Sequence, residues 1–238
     1  MRWLSPHTKR EGFDAMQNLT VVFDLDGTLV ETAPDLIAAT NHVMRRAGLA
    51  PVPAAHIRPS ISFGARAMIE KGLQFHARSL PNVEIDRLLQ LFLAHYAENI
   101  AVESHAYPGL ETALETLAAR GATLAVCTNK QHALSRRLLD ALGLSRHFKA
   151  LAGRDTFPVC KPHPDHLTGA IAMAGGDAQR AIMVGDSETD IKTARAAGIP
   201  VIGVPFGYTD IPIHELKPDA VITHYRELET AIAALSRR

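Results

Sequence analysis

The chain has 238 residues, 47% of them hydrophobic, enough to bury the core of one large domain or two modest ones. Lys plus Arg and Asp plus Glu both number 25, which excludes a broad basic surface for nucleic acid and an acidic disordered tail. The two cysteines, Cys127 and Cys160, show neither metal-site spacing nor a multi-bridge framework, and read as packing residues in a reducing cytoplasm.

In chain order, residues 1–18 read as a loose leader. The segment is basic but carries no apolar run long enough for a signal peptide or membrane span, and Met16 is an alternative start. Apolar runs at 19–25, 122–128, 181–186, 200–204 and 219–223 then read as buried strands, rich in Val, Ile and Ala without polar alternation. Helical periods at 109–120, 131–142, 164–174 and 189–197 separate most of them. This alternation predicts an α/β fold: a Rossmann-like parallel sheet with helices on both faces and ligands beyond the carboxyl ends of the strands. The segment 34–100 breaks the rhythm with three helix-period stretches and no convincing strand, and reads as an inserted helical subdomain. Pro108 and Gly109 mark the return, so the core is expected over 19–33 and 101–238.

The stretch FDLDGTL sets Asp24 within an apolar run and Asp26 just beyond it. Asp26-Gly27 alone fits a hairpin turn, but an unpaired Asp24 would be costly to bury. Side chains two apart on a strand point the same way, so both acids would face one site. A second pair, Asp186 and Asp190, follows the apolar run at 181–186 and opens a helix, where N-terminal capping explains either acid but not the recurrence of acid pairs. Four converging carboxylates would raise one another's pKa values unless a cation compensates. All-oxygen donors point to a hard ion, Mg²⁺, and Lys161 offers a further positive charge. Thr128 and Asn129, ending another strand at a helix start, can hold phosphoryl oxygens or serve as a cap. Scattered histidines such as His42, His95 and His105 read as surface or packing positions.

FDLDGTL, VCTN, Lys161 in CKPHP, and VGDSETD stand in the order and spacing of the four motifs of the haloacid dehalogenase-like hydrolases, and the chain resembles that superfamily from about residue 19 onward. The resemblance implies that Asp24 is the nucleophile forming an aspartyl-phosphate and Asp26 the general acid and base. It also implies Mg²⁺ held by Asp24, the Asp26 carbonyl and Asp186 with Asp190 beside them, and phosphoryl oxygens held by Thr128, Asn129 and Lys161. The segment 34–100 would be a four-helix cap that admits small phosphorylated metabolites. FDLDGTLVETAPDL, SFGARAMIEKGL, AYPGLETALETLAARG and GVPFGY are most similar to phosphoglycolate phosphatases. Arg66 and Lys71 are then candidates for a substrate carboxylate, although a solvated helix face accounts for either. A sugar-phosphate phosphatase or phosphomutase is the alternative within the superfamily. A receiver-type signalling module is the alternative outside it, disfavoured by length and by Asp26. The expected form is a cytoplasmic monomer or homodimer without nucleic-acid or membrane partners.

Overall fold

The computed structural model describes residues 16–209 and 211–236. The central sheet has six parallel strands in the order β5-β4-β1-β6-β7-β8: β1 Thr20–Phe23, β4 Thr123–Cys127, β5 Ala150–Ala152, β6 Ala181–Gly185, β7 Val201–Gly203 and β8 Ala220–Val221. Alternate residues feed opposite faces. Val21, Phe23, Leu124, Val126, Ile182 and Val184 join one buried cluster, while Val22, Ala125, Cys127, Ala181 and Met183 join the other. Helices α5 Leu110–Ala119, α6 His132–Ala141 and α9 Leu228–Leu235 contribute to the first cluster, and α7 Pro164–Met173 and α8 Glu188–Ala196 to the second. Burial on both faces explains why these strands read as continuous apolar runs.

The expected strands are thus present and shorter than the apolar runs at their ends. Not expected from the sequence is β5, a three-residue Ala-Leu-Ala edge strand with too little pattern to register. Nor is a two-residue antiparallel pair, β2 Val30–Glu31 with β3 His105–Ala106. Between β2 and β3 lie α1 Ala33–Arg46, the short α2 Ala54–Ile57, a 3₁₀ segment Arg58–Phe63, α3 Ala65–Phe75 and α4 Asn82–Glu98. Their apolar faces, including Val43, Met68, Ile69, Leu88 and Phe92, close on one another. His42 and His95 stack at 4.0 Å between α1 and α4, a packing role as expected.

Both connections to this helical segment are pinned. Asp35, at the head of α1, accepts from the backbone N–H groups of Val102, Glu103 and Ser104 and from Ser104 Oγ. Of the expected leader over 1–18, Met16 is fully buried and Asn18 N donates to Gly121 O at 3.3 Å; residues 1–15 lie outside those described.

Candidate active site

The site lies past the carboxyl ends of β1, β4 and β6, where parallel-sheet folds expose strand ends and helix starts. Asp24 leaves the sheet directly after β1, and Gly27, at φ 82°, turns the chain beneath Asp186. A Cβ there would stand 2.6 Å from Asp186 Oδ2, so the close approach needs glycine as much as the backbone angle does. Asp24, Asp186 and Asp190 are all buried, and one carboxylate oxygen from each lies within 4.8 Å of the others.

Lys161 is the cation of this cluster, not the exposed lysine that an isolated Lys would ordinarily be. Its side chain is 2% exposed, with Nζ 2.9 Å from Asp24 Oδ1 and 2.6 Å from Asp190 Oδ1. Burial pulls the ammonium pKa down, but Asp190 and Asp24 outweigh it and hold the group above its ordinary value. Asp190 also closes a capping box with Ser187 at the start of α8. The capping and site readings of this acid are therefore both met, each by a different oxygen: Oδ2 takes the Ser187 N–H and hydroxyl, and Oδ1 takes Lys161.

Asp186 accepts from Thr28 Oγ1 at 3.0 Å and from Tyr208 N at 2.8 Å. Burial, then Asp190, then Asp24 push its pKa well up. Burial raises Asp24 to about 6, with Lys161 opposing and Asp190 adding to the rise. Three carboxylates against one ammonium leave a charge deficit. Asp24 Oδ1 is buried and paired with Lys161 at 2.9 Å, but that one ammonium also serves Asp190. Three buried carboxylates sharing a single ammonium, all of them hard oxygen donors, fit a divalent cation of the Mg²⁺ type.

The fourth carboxylate is a correction. Asp26 does not join the cluster: its two oxygens lie 2.9 and 3.1 Å from Lys130 Nζ. Lys130 in turn reaches Tyr96 Oη on α4 at 2.8 Å. Neither Lys130 nor Tyr96 was among the residues expected from sequence. Lys130 could have been found as the residue directly after Thr128 and Asn129 at the same strand end, whereas Tyr96 carries only the signal of a buried helix seam. Thr128, Asn129 and Lys161 line one small cavity of about 90 Å³ with Asp24 and Asp26. Asn129 Nδ2 donates to the Lys161 carbonyl at 2.9 Å, tying two of the expected phosphoryl-binding loops together.

An adjoining cavity of about 560 Å³ is lined by Leu36, Phe92 and Leu93 of the helical segment and shares Lys130 and Arg154 with the small one. Arg66 lines it but is engaged by Asp86 and, at 3.8 Å, by Glu70. Lys71 lines a different groove, with Pro59, Gln74 and Phe63, so the two expected carboxylate ligands do not face one space. Cys127 is free and buried, its thiol raised by burial to about 12, and Cys160 is free.

Residues 21–204 match the family described as haloacid dehalogenase-like hydrolase. A phosphoglycolate phosphatase of Mesorhizobium japonicum is 51% identical over 218 residues, covering 92% of this chain and 96% of that protein. One of Agrobacterium fabrum is 48% identical, covering 89% and 91%. The crystal structure of a predicted phosphoglycolate phosphatase from Haemophilus somnus superposes with a TM-score of 0.84 at 30% identity, covering 90% of this chain and 97% of that one. With the acid cluster, its buried lysine and the parallel sheet already in place, these likenesses establish that the chain belongs to the haloacid dehalogenase-like hydrolases and is a phosphatase-like member, similar to the phosphoglycolate phosphatases.

Proposed function

We propose that the enzyme is a Mg²⁺-dependent phosphatase of small anionic phosphomonoesters, 2-phosphoglycolate foremost, working through an aspartyl-phosphate on Asp24. The observation that carries this reading is the buried Asp24, Asp186 and Asp190 cluster held by Lys161, with Asp24 and Lys161 lining a small cavity that shares Lys130 and Arg154 with a larger, apolar-walled one. The names of the relatives support the choice of substrate.

Asp24, Asp186 and Asp190 would hold the metal, with the Asp26 carbonyl beside them; when bound, it supplies charge neutralisation for the phosphoryl oxygens. The rest is done by side chains. Lys161 holds Asp24 ionised for attack on phosphorus, and with Thr128 and Asn129 takes the equatorial oxygens, where charge and alignment set the rate. Asp26, once it has taken up a proton from solvent, gives it to the leaving alkoxide oxygen. It then takes one from the water that attacks the phosphorus, returning Asp24 as carboxylate and releasing inorganic phosphate. The segment 34–100 acts as a cap that supplies the walls of the larger cavity and restricts substrates to small molecules. No helix among the described residues is long and apolar enough to cross a membrane, and the free cysteines suit a cytoplasmic enzyme.

The test is turnover of p-nitrophenyl phosphate and 2-phosphoglycolate with Mg²⁺, with EDTA, and with Mg²⁺ restored. Chelation should abolish both activities and readdition should return them. Full turnover in EDTA would remove the metal from the mechanism, and a preference for sugar phosphates would replace the substrate while leaving the chemistry.

A further inference from the structure

Lys130 has no part in the reaction as described, yet it is among the most costly residues of the site. Its side chain is 6% exposed, its ammonium touches both oxygens of Asp26 and the hydroxyl of Tyr96, and it lies 4.4 Å above the Tyr96 ring. Burying an ammonium is unfavourable unless a partner compensates. Here the compensating carboxylate is the proposed general acid.

Lys130 also stands where the two cavities meet, lining both the small one around Asp24 and the large one walled by Leu36 and Phe92. Two other cations line the large cavity. Arg66 pairs with Asp86 and Glu70 at the exposed surface, and Arg154, a solvent-exposed loop residue, lines both cavities, but neither is paired with Asp26. The substrate chemistry narrows the choice further. In 2-phosphoglycolate one methylene separates the ester oxygen from the carboxylate. The group that protonates the ester oxygen and the group that binds the carboxylate must therefore be neighbours, and Asp26 and Lys130 are in contact.

We propose that Lys130 is the receptor for the substrate carboxylate, and that it reaches this carboxylate by exchanging out of its ion pair with Asp26. One carboxylate replaces another on the ammonium, so Lys130 stays compensated. Asp26, released from it, takes up a proton from solvent and presents it to the leaving-group oxygen. A phosphomonoester without a carboxylate cannot drive the exchange, and it meets an Asp26 still held by Lys130. The inference rests on the 2-phosphoglycolate reading and adds to it the residue that enforces the choice.

The experiment compares kcat/KM for 2-phosphoglycolate and for ethyl phosphate, in which a methyl group stands in place of the carboxylate. Wild type should favour 2-phosphoglycolate by about 10- to 150-fold, the range of one charge-assisted contact. In Lys130→Gln and Lys130→Met that preference should collapse to within about threefold, and Lys130→Arg should keep part of it. Circular dichroism checks that each variant folds; if the Met variant does not, the Gln variant, which is one atom shorter but keeps a donor, decides. A preference that survives in Lys130→Gln overturns the inference alone. A wild type that hydrolyses p-nitrophenyl phosphate but shows no preference for 2-phosphoglycolate overturns the substrate reading, and this inference with it.

Discussion

Replacing Lys161 by Met removes the ammonium at the centre of the acid cluster while keeping most of the aliphatic volume. At an effective dielectric constant of about 20, each contact near 2.6–2.9 Å is worth about 6 kcal/mol of gross attraction, against several kcal/mol for desolvating the ammonium. Attraction wins, which is why burial fails to discharge the lysine. Deleting one partner of such a buried group is expected to cost about 3–5 kcal/mol, because Asp24 and Asp190 are left uncompensated. With a urea m-value of about 2.5 kcal/mol per M, the unfolding midpoint in EDTA should fall by about 1–2 M. Adding Mg²⁺ should narrow the gap, since a bound divalent ion supplies the missing charge. Hydrolysis of p-nitrophenyl phosphate should fall by about 10²- to 10³-fold, the scale of losing one donor aimed at developing charge. Equal midpoints for variant and wild type in EDTA would refute the argument, because they would mean that Lys161 compensates nothing.

Asp24→Asn should abolish phosphoenzyme, whereas Asp26→Asn should still accept phosphate from a good leaving group and release it slowly, by a factor of about 10²–10⁴. Intact-mass analysis after brief exposure to p-nitrophenyl phosphate separates the two, and a phosphorylated Asp24→Asn protein would refute the nucleophile assignment. His166 offers a pH test. It is fully buried, its Nδ1 accepts from Lys161 N at 3.1 Å and its Nε2 donates to Gly153 O at 3.0 Å, so the folded state holds the neutral ring. Burial, with Lys161 adding, lowers its pKa from the ordinary 6.5. Below that value the unfolded chain takes up a proton that the folded chain refuses. His166 therefore stabilises fully above about pH 6.5, and its contribution is lost as pH falls toward the lowered folded value. Urea midpoints measured from pH 7.5 to 5.5 should drop more steeply for wild type than for His166→Asn; parallel curves would show that the ring is protonated in place.

The central strands and the acid pairs were legible because two-sided burial writes itself as apolar runs, and a carboxylate at the end of such a run has no packing explanation. Asp24, Asp186 and Asp190 follow from that logic, with Lys161 as a charge to offset them, and the structure brings the four together. What stayed hidden is what depends on pairing across the chain. Asp26 meets Lys130 across 104 positions and Lys130 meets Tyr96 across 34, and no local spacing encodes either contact. Arg66 illustrates the opposite difficulty: a lone arginine on a helix invites a ligand, yet Asp86 and Glu70 already occupy it. Tyr208 was likewise unreadable, because its role is split. Its backbone N–H holds Asp186, and its hydroxyl holds Glu31 at 2.8 Å and the N–H of Thr32 at 2.6 Å.

The β2 and β3 pair has a consequence for how this molecule can change over time. With Val30 opposite Ala106 and Glu31 opposite His105, the chain departs from the catalytic layer and rejoins it at a single doorway. Once the doorway is fixed, doubling the length of what passes through it adds only about 0.6 kcal/mol of closure cost. The intervening helices can therefore be exchanged for a longer or shorter set without re-engineering the sheet that performs the chemistry. A transplanted segment would inherit two obligations from the core it joins: a hydroxyl or equivalent for Lys130 where Tyr96 now stands, and a cation for Glu31 where Arg58 sits at 2.7 Å. Meeting those two contacts is the minimum for grafting a new appetite onto an old reaction.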